Sequence, residues 1–349
     1  MNDLPAELSP WGDPAWRDSV LAWVRDRLRA AGLRPAGGLE PRLRPWSVTG
    51  QIRTDQGPVW FKANPPGSRF EPALMAALSR WVPGQVLTPL ATDPARGWSL
   101  QPDGGVILGA LPGLDARSWE EPLRQYAELQ RAVSGHVAEM AALGVPDLRP
   151  ARLPGRFDAL LDSAEVRAQA GTADGMTASQ YEALRALRPA LARWCERLAA
   201  SAAPPSLDHS DLHDYQVFVT DDRYAFFDWG DASIGHPFTS LLVILRAAAA
   251  RHGLAAGSAE IDRLRDAYLE PWTAGRPAPE LRQDARLAIR LGAISRALSW
   301  QRAFPQAGPH MRQDQGRSVA HWLTRLLEPD PAGPARPRSG GRPRRNLRH

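Results

Sequence analysis

A chain of 349 residues, 43% apolar and 23% charged, is long enough for about two packed lobes and too apolar to be disordered throughout. Its net charge of +5 does not mark a nucleic-acid binder, because Arg336, Arg338, Arg342, Arg344, Arg345 and Arg348 fall in an acid-free, Pro- and Gly-rich end that leaves the rest nearly neutral. The longest apolar run, Leu241 to Leu245 with Ala247 to Ala250, is interrupted by Arg246 and is far short of a membrane span; a single Cys195 excludes an internal disulfide; and Met1 to Pro10 lacks a secretory pattern, so a cytoplasmic protein is expected.

Taken in chain order, Trp16, Val20, Trp23, Val24 and Leu28 recur at helical spacing and predict an amphipathic helix over 15–31. From Leu39 to Ala63 short apolar and β-branched runs follow, and Trp46 to Thr49 and Val59 to Phe61 predict a hairpin turned at Asp55-Gln56-Gly57. All but one of the 43 basic residues are arginine, and the exception, Lys62, continues that second strand. Lysine is a compact ammonium suited to phosphate oxygens, so its position on a half-buried strand is more than a surface accident. Ser68 and Glu71 fit a capping box that opens a helix through Trp81. Val86 to Leu90, Gly97 to Gln101 and Val106 to Leu108 read as further strands, with Pro102-Asp103-Gly104-Gly105 as a tight connection.

From Trp119 the pattern becomes helical over 119–143, 155–170, 178–202, 236–251, 258–272, 278–303 and 312–327. A second hairpin, Val217 to Val219 and Tyr224 to Phe227 joined at Asp221-Asp222, interrupts it. The expected fold is α+β and two-lobed: a helical extension at 1–38, a small antiparallel β-rich lobe at 39–110, a larger helical lobe at 111–328, and a disordered basic tail at 329–349.

The second hairpin carries the densest ionisable cluster, Asp208-His209-Ser210-Asp211-Leu212-His213-Asp214-Tyr215-Gln216 and then Phe227-Asp228-Trp229-Gly230-Asp231. Phosphoryl transfer needs a carboxylate on the acceptor hydroxyl, oxygen ligands for a metal that bridges phosphates, and a cation on the phosphates. Asp211 in a loop, Gln216 and Asp228 at either side of a hairpin, and Lys62 offer those parts. Asp211 and Asp228 could instead cap turns, and Glu71 could serve only its helix cap. His209 reads as a structural hydrogen-bonding residue, and Cys195 and the 13 tryptophans as core or cleft packing.

The set His209-x-Asp211-x-x-x-x-Gln216 with Phe227-Asp228-Trp229-Gly230 resembles the catalytic and metal loops of the protein-kinase-like superfamily, in particular the aminoglycoside phosphotransferase and choline kinase branch. The resemblance implies an ATP- and Mg²⁺-dependent kinase of a small-molecule hydroxyl. It implies Asp211 as catalytic base, Gln216 and Asp228 as metal ligands, Lys62 as phosphate-binding lysine and Glu71 as its partner. Backbone near Leu100 to Asp103, including Gln101, would hold adenine. The chain departs from the branch at Gln216 for asparagine, at Ser210 for glycine, and in lacking a G-x-G-x-x-G loop. Those departures motivate an alternative, a nucleotide-binding regulator without transfer activity.

A third reading takes His209, Asp211 and His213 as zinc ligands of a hydrolase. The expected partners are a nucleotide and a hydroxyl acceptor, with no membrane and at most weak tail contacts to nucleic acid. Asp208, Asp214 and Asp231 would attract a cationic acceptor, but the sequence does not choose among aminoglycosides, amino alcohols and sugars, and leaves the oligomeric state open.

Overall fold

Helix α1 (Pro14–Ala30) starts where the Asp13 carboxylate accepts the Ala15 N–H at 2.9 Å and a proline occupies the first turn. Its apolar stripe, Val20, Trp23, Val24 and Leu28, packs on one face of a sheet. The computed structural model describes residues 9–220, 223–274, 276–303 and 309–328. Among them the sheet has five antiparallel strands, β1 (Glu40–Arg44), β2 (Ser47–Thr54), β3 (Gly57–Ala63), β4 (Ala91–Asp93) and β5 (Trp98–Pro102), in the order β1-β2-β3-β5-β4.

Period-two alternation gives that sheet two unlike faces. Val59, Phe61 and Ala63 of β3 are buried against α1, where Trp23 meets Phe61 at 6.1 Å and Trp98 at 5.7 Å between ring centroids. Trp60 and Lys62 therefore point to the opposite face. Thr49 and Ser99 flank Lys62 in register on β2 and β5.

The region 86–90 forms no strand; Val86 makes one isolated bridge to Pro83, and Pro89 has no N–H to give a ladder. Strand pairing resumes at β4, with Ala91 opposite Leu100. Helix α2 (Glu71–Trp81) begins at Phe70 without a side-chain cap, so no capping box forms between Ser68 and Glu71. Its apolar residues Leu74, Met75 and Leu78 join the core of the helical lobe rather than that of the sheet. Strand β6 (Val106–Ile107) also leaves the first sheet and pairs with β8 (Val217–Val219), which pairs in turn with β9 (Tyr224–Phe226). Between them, β7 (Ser206–Asp208) pairs with β10 (Ser233–Gly235).

The helical lobe consists of α3 (Glu120–Val133), α4 (Val137–Ala142), α5 (Leu153–Leu161), α6 (Ala164–Arg167), α7 (Ala178–Ala186), α8 (Arg188–Ala199), α9 (Leu241–His252), α10 (Ala259–Leu269), α11 (Ala278–Ala303) and α12 (Pro309–Thr324). Three expected long helices are each broken in two, and each break has a local cause. Pro189 sits in the first turn of α8, where its missing N–H costs nothing, and so ends α7. The Ser163 hydroxyl caps α6 by accepting the Val166 N–H at 3.3 Å. A 3-10 turn over Ser134–His136 separates α3 from α4. No described helix is long and apolar enough to cross a membrane. The basic tail and the Asp221-Asp222 joint lie outside the described residues.

Candidate active site

The cleft face of β3 delivers Lys62 to two carboxylates from distant parts of the chain. Its Nζ lies 2.8 and 2.7 Å from the two oxygens of Glu71, the first residue of α2, and 2.6 Å from Oδ1 of Asp228. Glu71 is 1% exposed, whereas the Asp228 side chain stands 47% exposed at the cavity rim. Burial alone would lower the Lys62 pKa, but Asp228 and Glu71 outweigh it and the ammonium is held charged. Burial pushes the Glu71 carboxyl up, against the pull of Lys62. For Asp228 burial also pushes upward, but Lys62 prevails and the carboxyl ends below its ordinary range.

Two residues around this junction take left-handed backbone, Ser210 at φ +62° and Asp228 at φ +67°. Such conformations are uncommon outside glycine and cluster at functional loops. Ser210 is compensated locally: its N–H and hydroxyl both donate to Asp208, at 3.0 and 2.8 Å. Asp208 also accepts from the Ser240 hydroxyl at 2.6 Å, and the Tyr126 hydroxyl accepts the His209 N–H at 3.1 Å. These bonds anchor the loop after β7 to α3 and the turn before α9.

His209 ties that loop to the next. Its Nε2 lies 2.9 Å from the Phe227 carbonyl, so this nitrogen carries the hydrogen and donates, and burial lowers its pKa. The ring packs on Trp229 at 4.8 Å. Asp228 is thereby held between Phe227, which stacks on Phe218 at 4.2 Å, and a buried Trp229.

Asp211 projects from the first loop into the same cavity as Lys62 and Asp228, a space of about 270 Å³. Its Oδ1 lies 2.5 Å from Nη2 of Arg296 on α11, and its Oδ2 accepts from Gln216 Nε2 at 3.4 Å. Burial raises its pKa to about 7; Arg296 pulls it down while Asp231 and Asp228 push it up. Gln216 follows in a 3-10 turn that leads into β8, and its Oε1 is buried without a hydrogen-bond partner. A buried amide oxygen with unused lone pairs suits a hard divalent cation.

Lys62, Glu71 and Asp228 are thus joined directly, and Asp211 and Gln216 form a second pair beside them. Gln101 stands apart: on β5 opposite Trp60, it donates to the Ser99 hydroxyl at 3.2 Å and does not line the cavity. The zinc reading falls, because among the described residues no three His, Cys, Asp or Glu side chains could hold a metal together, and His209 is committed to Phe227. The acids expected to attract a cation are already engaged: Asp208 by Ser210 and Ser240, Asp214 by Arg251 at 2.5 Å, and Asp231 by Arg296 at 2.6 Å.

Arg296 is the residue that sequence reading overlooked. A visible signal existed, since it is the one charge in Leu291-Gly-Ala-Ile-Ser-Arg-Ala-Leu-Ser299, an otherwise small and apolar run.

A family model described as the phosphotransferase enzyme family matches residues 39–282. No curated protein matches the chain. Among solved structures, the choline kinase LicA from Streptococcus pneumoniae is 12% identical, with a TM-score of 0.53 over 87% of this chain and 99% of that one. The Plasmodium vivax ethanolamine kinase is 13% identical, with a TM-score of 0.55 over 83% and 81%. The amicoumacin kinase hAmiN, solved with AMP-PNP and Ca²⁺, is 9% identical, with a TM-score of 0.55 over 87% and 95%. These likenesses show a shared kinase-like fold.

Proposed function

Because the chain belongs to the phosphotransferase enzyme family, we propose that it transfers the γ-phosphoryl group of ATP to a hydroxyl of a small molecule. The observation that carries this reading is the Lys62 ammonium joined to Glu71 and Asp228 within 2.8 Å, in a cavity that Asp211 also lines. A cation fixed by a buried carboxylate, beside a second carboxylate and a base, is the equipment that phosphoryl transfer requires.

In this reading adenine rests at the backbone of Leu100 to Asp103, with Gln101 beside it, and the phosphates reach Lys62. Glu71 keeps the ammonium aimed while its remaining hydrogens turn from Asp228 to phosphate oxygens. Gln216 and Asp228 would hold Mg²⁺, which when bound would supply charge neutralisation on the phosphates. Asp211 accepts the proton of the acceptor hydroxyl as its oxygen bonds to the γ-phosphorus and the bond to the bridging oxygen breaks, releasing ADP with that electron pair.

The test is thermal melting of the purified chain with ATP and Mg²⁺, alone and together, followed by a transfer assay. Binding to the native state adds about 2.7 kcal/mol at a hundredfold excess over Kd. The expected shift needs both ligands and vanishes in Lys62→Ala and Asp228→Ala. Asp211→Asn keeps the shift and loses transfer. No shift under any condition overturns the proposal. The ion pair between Asp211 and Arg296 favours a second reading, a nucleotide-binding regulator, which a shift without transfer to any acceptor would support.

A further inference from the structure

We propose that Arg296 is a positioning residue that holds the base Asp211 in place against the Asp228 loop by bridging Asp211 to Asp231; the inference rests on the phosphotransferase reading above. Asp211 leaves the loop after β7, and Asp231 closes the 3-10 turn Trp229–Asp231 that follows Asp228. One guanidinium takes both. Nη2 meets Asp211 Oδ1 at 2.5 Å and Nη1 meets Asp231 Oδ2 at 2.6 Å, so the two carboxylates are set apart by the width of the fork. The guanidinium is itself fixed. Arg296 is 7% exposed, its Nη1 also donates to the Ser299 hydroxyl at 3.0 Å, and the group lies 5.5 Å from the ring centre of Trp300 and 5.9 Å from that of Trp322 on α12. Its neighbours Ile294, Ala297 and Leu298 are buried in the core of the helical lobe. Further along the helix, Arg302 donates from Nη2 to the carbonyls of Asp231 at 3.1 Å and Ala232 at 3.5 Å, so α11 holds the end of the Asp228 loop at two points.

Stability alone does not account for this arrangement. Taking a guanidinium and its carboxylates out of water costs about as much as their attraction returns, and apolar side chains can pack such a place as well. A planar fork does what they cannot, because it sets a distance and an orientation together. The orientation suits the reaction. With Oδ1 of Asp211 on Arg296 and only a long 3.4 Å bond from Gln216 to Oδ2, Oδ2 is the oxygen left to receive the proton of an acceptor hydroxyl. Lys62, Glu71 and Asp228 are joined to one another directly, without Arg296 between them. Nucleotide binding and the placement of the base therefore respond separately to substitution at Arg296.

The experiment uses the full chain with γ-labelled ATP and Mg²⁺. Phosphate is followed to water and to D-glucose, ethanolamine and choline offered singly; the fastest acceptor is kept for the variants, and the nucleotide Kd is taken from melting. Arg296→Lys retains the charge, but one ammonium nitrogen can serve both carboxylates only by drawing them together, which displaces Asp211. The expected result is a kcat lower by about a hundredfold, the loss that a misplacement of about 1 Å brings, with the Kd for ATP and Mg²⁺ within about twofold of wild type. Asp231→Ala cuts the bridge at its far end, lowers kcat in the same way, and carries the test should Arg296→Lys not fold. The two substitutions together cost no more than the larger single loss, because both break one bridge. Wild-type kcat in either folded variant overturns the proposal, and so do losses that multiply in the double variant. A kcat loss matched by an equal loss of nucleotide affinity also overturns it, since that marks a collapsed cavity rather than a misplaced base. A wild-type chain that passes phosphate to no acceptor removes the phosphotransferase reading itself, and the inference with it.

Discussion

Lys62 and Glu71 form a buried ion pair whose charges cannot be removed one at a time without cost. Glu71 is 1% exposed, so Lys62→Met leaves a carboxylate with no cation and is expected to cost about 3–5 kcal/mol in chemical denaturation. The double variant Lys62→Met, Glu71→Gln should recover most of that stability and none of the transfer activity. A double variant no more stable than the single one would count against the ion pair as the source of the loss. Asp211 makes a different demand. Its carboxyl is raised to about 7, and only the ionised form can take a proton, so kcat/KM should climb as pH rises through about 7. A profile that is flat between about pH 6 and 8 would remove Asp211 as the titrating base.

At the scale of elements, the two lobes meet at a tight backbone contact. A β-carbon on Gly67, in the 3-10 turn before α2, would overlap the carbonyl of Arg302 near the end of α11. Gly67→Ala should therefore cost about 1–3 kcal/mol, seen as a lower melting temperature. An unchanged melting temperature would mean that the turn yields freely. Contacts of this kind explain which parts of the molecule can be read from sequence. The 3.6-residue stripe of α1 and the turn at Asp55-Gln56-Gly57 are local signals, and both elements form where those signals lie. Glu71 next to Lys62 is legible too, because a strand and the helix after it leave few alternatives. The pairing of β6 with β8 is not, since Val106 and Val219 are brought together by the path of the whole chain. Arg296 belongs to the same class: nothing near it in sequence names Asp211 as its partner.

The whole molecule is an α+β protein with the kinase-like fold of its family. Its division into lobes is less clean than the order of elements suggests. Helix α2 lends Glu71 to the lysine of the sheet while its apolar face is buried with α3 and the helical core. The charged junction is therefore mounted on a helix that both lobes restrain, which limits how far Lys62 can drift between visits of a ligand. One further property follows from the composition of that junction. Arginine does not acylate under mild conditions, so Lys62 is the one side-chain amine in the sequence open to an activated ester, and because Glu71 and Asp228 hold it as a charged ammonium it reacts only when those ion pairs open. Treatment with an activated ester, read as mass gained by the peptide that carries Lys62, therefore reports how often the junction opens.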